Sequence, residues 1–183
     1  NLSLGKKENL KNGIRFFNGS VESVSDLENC GENFDCIVHL AAASSAPMFQ
    51  KDLIGAYHNN VLGFLYVLEY ARKIGIKKVL YASTSSIYGN NPTPLTEDQH
   101  VVPLNYYSVT KHAMEETAHV YAKQYNMDII GFRFMSVYGL NEKHKGIFDN
   151  LVSQFIWEMK DGKRPILYGD GLQSRDFTNV KDI

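Results

Sequence analysis

The segment LNYYSVTKHAMEE, from Leu104 to Glu116, sets two tyrosines side by side shortly before a lysine. A phenol with a pKa near 10 is a poor base at neutral pH, and a nearby ammonium stabilises its anion. On a helix, residues four apart share a face and residues five apart do not. Tyr107 and Lys111 are four apart, Tyr106 and Lys111 five, so Tyr107 is the tyrosine that stands over the ammonium. Dropping a phenol by roughly three units takes about 4 kcal/mol of differential stabilisation, so a second positive charge would help the lysine. Tyr-x-x-x-Lys alone is a weak pattern that occurs often by chance. A second feature accompanies it here. YASTSSIYG, from Tyr81 to Gly89, leaves an apolar run and opens into hydroxyl-bearing residues. Such a cluster either satisfies its own turn or offers a hydroxyl to a substrate oxygen beside the tyrosine.

The elements that must position these groups follow from the apolar pattern. CIVHLAA (Cys36 to Ala42), KVLYAST (Lys78 to Thr84) and DIIGFRF (Asp128 to Phe134) read as strands, with PILY (Pro165 to Tyr168) weaker and IRFFNG (Ile14 to Gly19) an earlier addition. Unbroken apolar strands suggest a sheet covered on both faces. Helical patterns cover Ile54 to Ile74, Tyr107 to Tyr125 and Phe148 to Met159. That alternation predicts an α/β fold with a doubly wound, Rossmann-like and mostly parallel sheet, whose ligands sit at the carboxyl ends of the strands. The rule directs attention to Ala41 and Ala42, to Ser83 through Ser86, and to Met135 through Tyr138. The helix over Ile54 to Ile74 lacks a polar stripe, which fits burial under a further segment of the chain or packing against a partner subunit.

Composition narrows the class. The 183 residues are 44% hydrophobic and 21% charged with a net charge of −1, enough for one globular core and without the basic excess of a nucleic-acid binder. No apolar run is long enough to span a bilayer. Cys30 and Cys36 are the only cysteines, too few for a disulfide framework and away from any His cluster, so we expect a cytoplasmic setting and no metal site.

Taken in order, these motifs resemble those of the extended short-chain dehydrogenase/reductase family, specifically the NAD-dependent sugar-nucleotide epimerases and dehydratases. FDCIVHLAA resembles the strand that lines the cofactor, NNVLGFLYVLEYARK the Asn-Val-x-Gly helix, and YASTSSIYG and YSVTK the catalytic segments. FRFMSVYG and GDGLQSRDFTNVKDI are similar to the segments that grip a nucleotide diphosphate. The resemblance implies Tyr107 as general base and acid, Lys111 as its tuning group and ribose ligand, and Thr84 as the catalytic hydroxyl. It implies that NAD is lined by Leu40, Ala41, Ala42 and Ser44, with Asn60 beneath it, and that Ser83 and Phe134 flank the nicotinamide. Asn1, Ser20 and Val21 fall where the adenosine end is held. Ser85, Ser86, Ser136 and Arg175 fall on the substrate side, where a planar guanidinium suits a diphosphate. The partner implied is a nucleotide sugar, with UDP-hexose foremost, and a homodimer through helices 54–74 and 107–125.

The sequence also departs from the family. No Gly-rich phosphate turn occurs anywhere in it. The expectation is therefore residues 1–183 as one NAD-binding domain without its first strand–helix unit or most of the small carboxy-terminal domain, with 140–183 beginning the substrate elements. Ser20 replaces an Asp near the adenine, and Ser136 replaces an Asn facing the diphosphate. Ser85 and Ser86 stand where dehydratases carry Asp-Glu and decarboxylases carry Glu, because reactions beyond C4 need further acid–base groups. Epimerisation at C4 through a 4-keto sugar is the expected reaction. The alternatives are a keto-sugar-nucleotide reductase or dehydratase of the same family, and a non-catalytic NAD-binding sensing module.

Overall fold

The computed structural model describes residues 1–183, the side chain of Ile147 excepted, and the chain forms two compact units. One unit is Phe17–Phe134; the other joins Asn1–Phe16 to Met135–Ile183.

In the unit Phe17–Phe134 a short helix, α1 (Val24–Glu28), precedes strand β1 (Ile37–His39). Helices α2 (Ala46–Lys51), α3 (Leu53–Tyr57) and α4 (Gly63–Lys73) lead to β2 (Lys78–Ala82). Helix α5 (Tyr106–Tyr125) then leads to β3 (Asp128–Phe132). The strands are parallel in the order β1-β2-β3, and their register aligns Ile37, Val79 and Ile129 in one row and Val38, Leu80 and Ile130 in the next. Phe64, Leu68 and Ala71 of α4 and Met114, Ala118 and Tyr121 of α5 close over Val79 and Tyr81. The Tyr81 ring also crosses Gly131, where an added Cβ would stand 2.4 Å from Tyr81 Cζ.

Successive crossovers of one hand, moving in one direction along the sheet, place their helices on the same face. The expected cover on both faces is therefore cover on one, and Val38, Ile130 and Phe132 on the opposite face stand exposed. Two other expectations fail as well. Residues 14–19 and 165–168 form no strand. A short apolar run becomes a strand only where a neighbour takes its backbone groups, and both sheets form without these runs.

The helix expected over Ile54 to Ile74 is three segments in line. Between α3 and α4 runs a π-helical turn, His58–Leu62. Such turns are rare and re-aim the side chains they carry. Here the side chain is Asn60, which is fully buried. Its Oδ1 accepts from the Ala43 N–H at 2.7 Å, and its Nδ2 donates to the Ala43 carbonyl at 3.1 Å and to Thr110 Oγ1 at 3.0 Å. Most of the apolar excess of this helix is core: Phe64, Val67, Leu68, Tyr70 and Ala71 are all buried.

The other unit pairs two parallel strands, β4 (Ser136–Tyr138) and β5 (Phe177–Asn179), and carries α6 (Leu151–Lys160) between them in sequence. The helix expected from Phe148 begins at Leu151 because Asn150 caps it, its Oδ1 accepting from the Val152 N–H at 3.0 Å. Among the described residues, no helix is long and apolar enough to cross a membrane.

Replacing Asn60 by Leu strands the Ala43 N–H and carbonyl in the core. Urea unfolding should show a loss of about 2–4 kcal/mol, and a loss under about 0.5 kcal/mol would deny the amide its bridging role.

Candidate active site

The backbone ladder continues past β2. The Ser83 N–H donates to the Phe132 carbonyl at 2.8 Å and the Ser85 N–H to the Phe134 carbonyl at 3.0 Å, so Thr84 is held from both sides. There the chain bends into a 3-10 turn, Ser85–Tyr88, and Thr84 caps it by accepting from the Ser86 N–H at 3.1 Å. Facing this turn, α5 opens with a capping box. Asn105 Oδ1 accepts from the Ser108 N–H at 2.9 Å, and Ser108 Oγ accepts from the Asn105 N–H at 3.2 Å. Thr110 fastens the same first turn by donating its hydroxyl to the Tyr107 carbonyl at 2.8 Å while accepting from Asn60.

The two tyrosines part as their spacing predicts. Tyr106 is 58% exposed and meets the Tyr57 ring edge-on, at 6.4 Å between centroids. Tyr107 turns inward against Phe49, beside Ala43 and Ala56, with the Thr84 hydroxyl near enough to favour its anion. One turn on, Lys111 is 2% exposed and donates from Nζ to the Ala82 carbonyl at 2.8 Å. A tyrosine and a lysine of α5 thus meet a threonine from the end of β2 at the carboxyl edge of that strand.

Burial governs the electrostatics. It pulls the Lys111 ammonium down to about 8. It pushes the Tyr107 phenol up, opposed by the Thr84 hydroxyl. The expectation of a phenol lowered by Lys111 is therefore reversed in the protein alone. Desolvation is the largest cause, and the Lys111 ammonium, directed to the Ala82 carbonyl, is not among the groups that lower the phenol. His39, at the end of β1, is held near 4 by burial first and by the Lys111 charge second, so it is neutral at pH 7. Its Nε2 is buried without a hydrogen-bond partner.

The remaining candidates are distributed as follows. Leu40 (64% exposed), Ala41 and Ser44 stand open at the carboxyl end of β1, with Ala42 half-buried among them. Ser83 is buried and donates to Glu115, while Ser86 Oγ accepts from Asn105 Nδ2 at 3.4 Å and Ser85 is half-buried beside it. Phe134 stacks on Phe132 with ring centroids 5.7 Å apart. Ser20 and Val21 form a turn in which the Ser20 N–H donates to Asp26 at 2.8 Å and Val21 covers Gly63. Asn1, Ser136 and Arg175 belong to the other unit. There Asn1 accepts from Ser3, the Ser136 N–H donates to the Asp176 carbonyl, and Arg175 is exposed. Sequence reasoning overlooked His39, Glu115 and Arg133. A lone polar residue in the apolar run CIVHLAA signals the first, and a carboxylate four residues after Lys111 signals the second.

A parallel α/β sheet with tyrosine, lysine and a strand-end hydroxyl gathered at its carboxyl edge defines the short-chain dehydrogenase/reductase class. The model of the NAD dependent epimerase/dehydratase family matches residues 1–183, and the chain belongs to that family. It is 33% identical over 183 residues to the UDP-glucuronate 4-epimerase of Thermodesulfobacterium geofontis, a match covering 98% of this chain and 54% of the relative. Among solved structures, the UDP-N-acetylglucosamine 4-epimerase of Methanobrevibacter ruminantium superposes with a TM-score of 0.93 at 32% identity, covering 100% of this chain and 60% of that one. The UDP-glucose 4-epimerase of Thermus thermophilus, solved with NAD, gives 0.90 at 29% identity, covering 99% and 61%. The chain spans about half to three-fifths of the length of the curated relatives it matches.

A lysine whose native pKa lies below its unfolded value adds stability that is present above the unfolded pKa and lost as pH falls through the native one. For Lys111 that window runs from 10.5 down to about 8. The stability of the native protein relative to Lys111→Met should rise by up to about 3 kcal/mol as pH is raised across it, read from urea unfolding at each pH. A pH-independent difference would show that burial does not disfavour this ammonium.

Proposed function

We propose that the protein epimerises C4 of a UDP-sugar through a transient 4-keto sugar, using NAD. The observation that carries this reading is Thr84, Tyr107 and Lys111 gathered at the end of β2, with hydroxyls alone at positions 85 and 86. The residues present suit the nicotinamide end of a dinucleotide. Beyond β1 the chain is open at Leu40 and small-sided at Ala41 and Ala42, and Lys111 has two further N–H donors beyond the one that Ala82 occupies. The chemistry NAD supplies when bound is reversible acceptance of hydride from C4.

The protein's own part is to hold and move one proton. Tyr107 takes it from the C4 hydroxyl as the carbonyl forms and returns it when the carbonyl is reduced from the other face. Thr84 donates to the same oxygen, and Lys111 supplies the positive charge that a buried phenolate needs. No carboxylate at 85 or 86 offers the extra acid–base group that dehydration or decarboxylation requires. UDP is supported by the three relatives above, whose names give UDP-glucuronate, UDP-N-acetylglucosamine and UDP-glucose as substrates.

The first test is to incubate the native protein, with no cofactor added, with each of these UDP-sugars and to follow the anomeric protons by NMR. Conversion to the C4 epimer is the expected result. Conversion that requires added NADH or NADPH would move the answer to a reductase, and retention of NAD without turnover of any sugar would indicate a sensing module. Tyr107→Phe should reduce kcat by about 10²–10⁴-fold with the fold intact by circular dichroism, and a wild-type rate would refute the assignment.

The reading includes a homodimer through helices 54–74 and 107–125. Val109 and Val120 support it: they lie three helical turns apart on one side of α5, and both are exposed. Val120→Asp should convert a dimer to a monomer by sedimentation velocity, and a wild-type protein that sediments as a monomer would exclude it.

A further inference from the structure

Outside the residues assigned above, one ion pair is built into the walls of the site. Arg133 Nε and Nη2 donate to Glu115 Oε1 and Oε2 at 3.1 and 2.8 Å, a two-point pairing in which both side chains are mostly buried. Glu115 also accepts from the Ser83 hydroxyl. The remaining arm of the guanidinium, Nη1, donates to Tyr88 Oη at 3.0 Å and to the Glu97 carbonyl at 3.2 Å. The guanidinium carbon lies 5.0 Å from the centre of the Tyr88 ring.

This pair joins five segments: α5, the end of β2, the end of β3, the Ser85–Tyr88 turn and the loop that holds Glu97. Thr84 lies inside the ring of bonds. Ser83 before it is held by Glu115, Ser85 after it by the Phe134 backbone next to Arg133, and Tyr88 at the end of its turn by Arg133 itself. Glu115 shares the face of α5 that carries Tyr107 and Lys111, at successive four-residue steps. The bonds therefore fix Thr84 relative to the helix that carries its partner, Tyr107. Burying an ion pair is weak evidence for stability, since apolar replacements often do as well. What apolar residues would lack is the directional fork that ties these backbone segments together.

We propose that Glu115 and Arg133 are positioning residues that hold the Thr84 hydroxyl beside the Tyr107 phenol, and that they influence turnover through Thr84. The role in turnover rests on the epimerase reading; the positioning itself does not. Thr84 is the group that opposes the upward push of burial on Tyr107, so loosening it raises the pH at which the phenol ionises.

The test uses the native protein and the variants Arg133→Met, Thr84→Val and the double variant. Tyr107 ionisation is read as the tyrosinate absorbance lost in Tyr107→Phe, which needs no substrate. The midpoint should move to higher pH in Arg133→Met, as in Thr84→Val, and the double variant should move no further than Thr84→Val. With substrate, Arg133→Met should lower kcat by about 10- to 100-fold, the scale of a catalytic group displaced by an ångström, with KM changed less than about threefold. It should add no loss in the Thr84→Val background. An unmoved midpoint, or losses that multiply in the double variant, would overturn the proposal. If Arg133→Met does not fold, Ser83→Ala removes one bond to Glu115 and must give a smaller shift of the same sign. A midpoint that moves in a protein that turns over no sugar would uphold the positioning and reject the epimerase reading.

Discussion

An ammonium and a backbone carbonyl 2.8 Å apart, Lys111 on α5 and Ala82 at the end of β2, set the geometry on which the rest of the site depends. A carbonyl at the end of a strand must find a donor wherever water is excluded. Supplying it from a lysine means bringing a charge into the core, which burial disfavours. The helix must therefore be held hard enough to keep Lys111 in place. The capping box at Asn105 and Ser108 fixes where α5 begins, and Asn60 reaches Thr110 from the π-helical turn to fix its rotation. Tyr107, between those two anchors, has little choice of position.

The same burial acts on three titratable groups in a consistent sense. It favours the neutral amine at Lys111, the neutral phenol at Tyr107 and the neutral imidazole at His39. A protonated His39 would set a second positive charge near the Lys111 ammonium without solvent to screen either. Neutral, it leaves that ammonium as the positive charge of the pocket. The site is one in which any anion made at Tyr107 must be matched by a nearby cation or hydrogen-bond donor. Thr84 and Lys111 are the groups placed to do so.

Which of these features the sequence disclosed follows from the range of the physics involved. Local patterns were enough for the strands at 37–39, 78–82 and 128–132 and for α5 from Tyr107 on, because apolar runs and helical spacing act over a few residues. Helical spacing alone separated Tyr107 from Tyr106. The π turn was hidden, since one extra residue in a helix leaves the apolar pattern of Ile54 to Ile74 nearly unchanged, yet it is what directs Asn60 inward. The pairing of Glu115 with Arg133, 18 positions apart, was hidden for another reason: it depends on α5 packing beside the end of β3. The direction of the Tyr107 shift was misjudged because spacing gives neighbours, not solvent exclusion. The runs at 14–19 and 165–168 have strand composition, but composition cannot supply a strand to pair with.

Solvent exclusion also gives Ser85 and Ser86 a meaning beyond the absence of acid–base groups. Tyr107 already ionises with difficulty in its buried setting. A carboxylate on the adjoining turn would disfavour the phenolate further, by repulsion that little water is present to screen. A serine hydroxyl carries no charge and can donate or accept as the oxygen near it requires. Ser86 uses that freedom structurally, accepting from the Asn105 amide that caps α5, and so links the turn to the helix without charge. The hydroxyls at 85 and 86 thus add no repulsion against an anion at Tyr107.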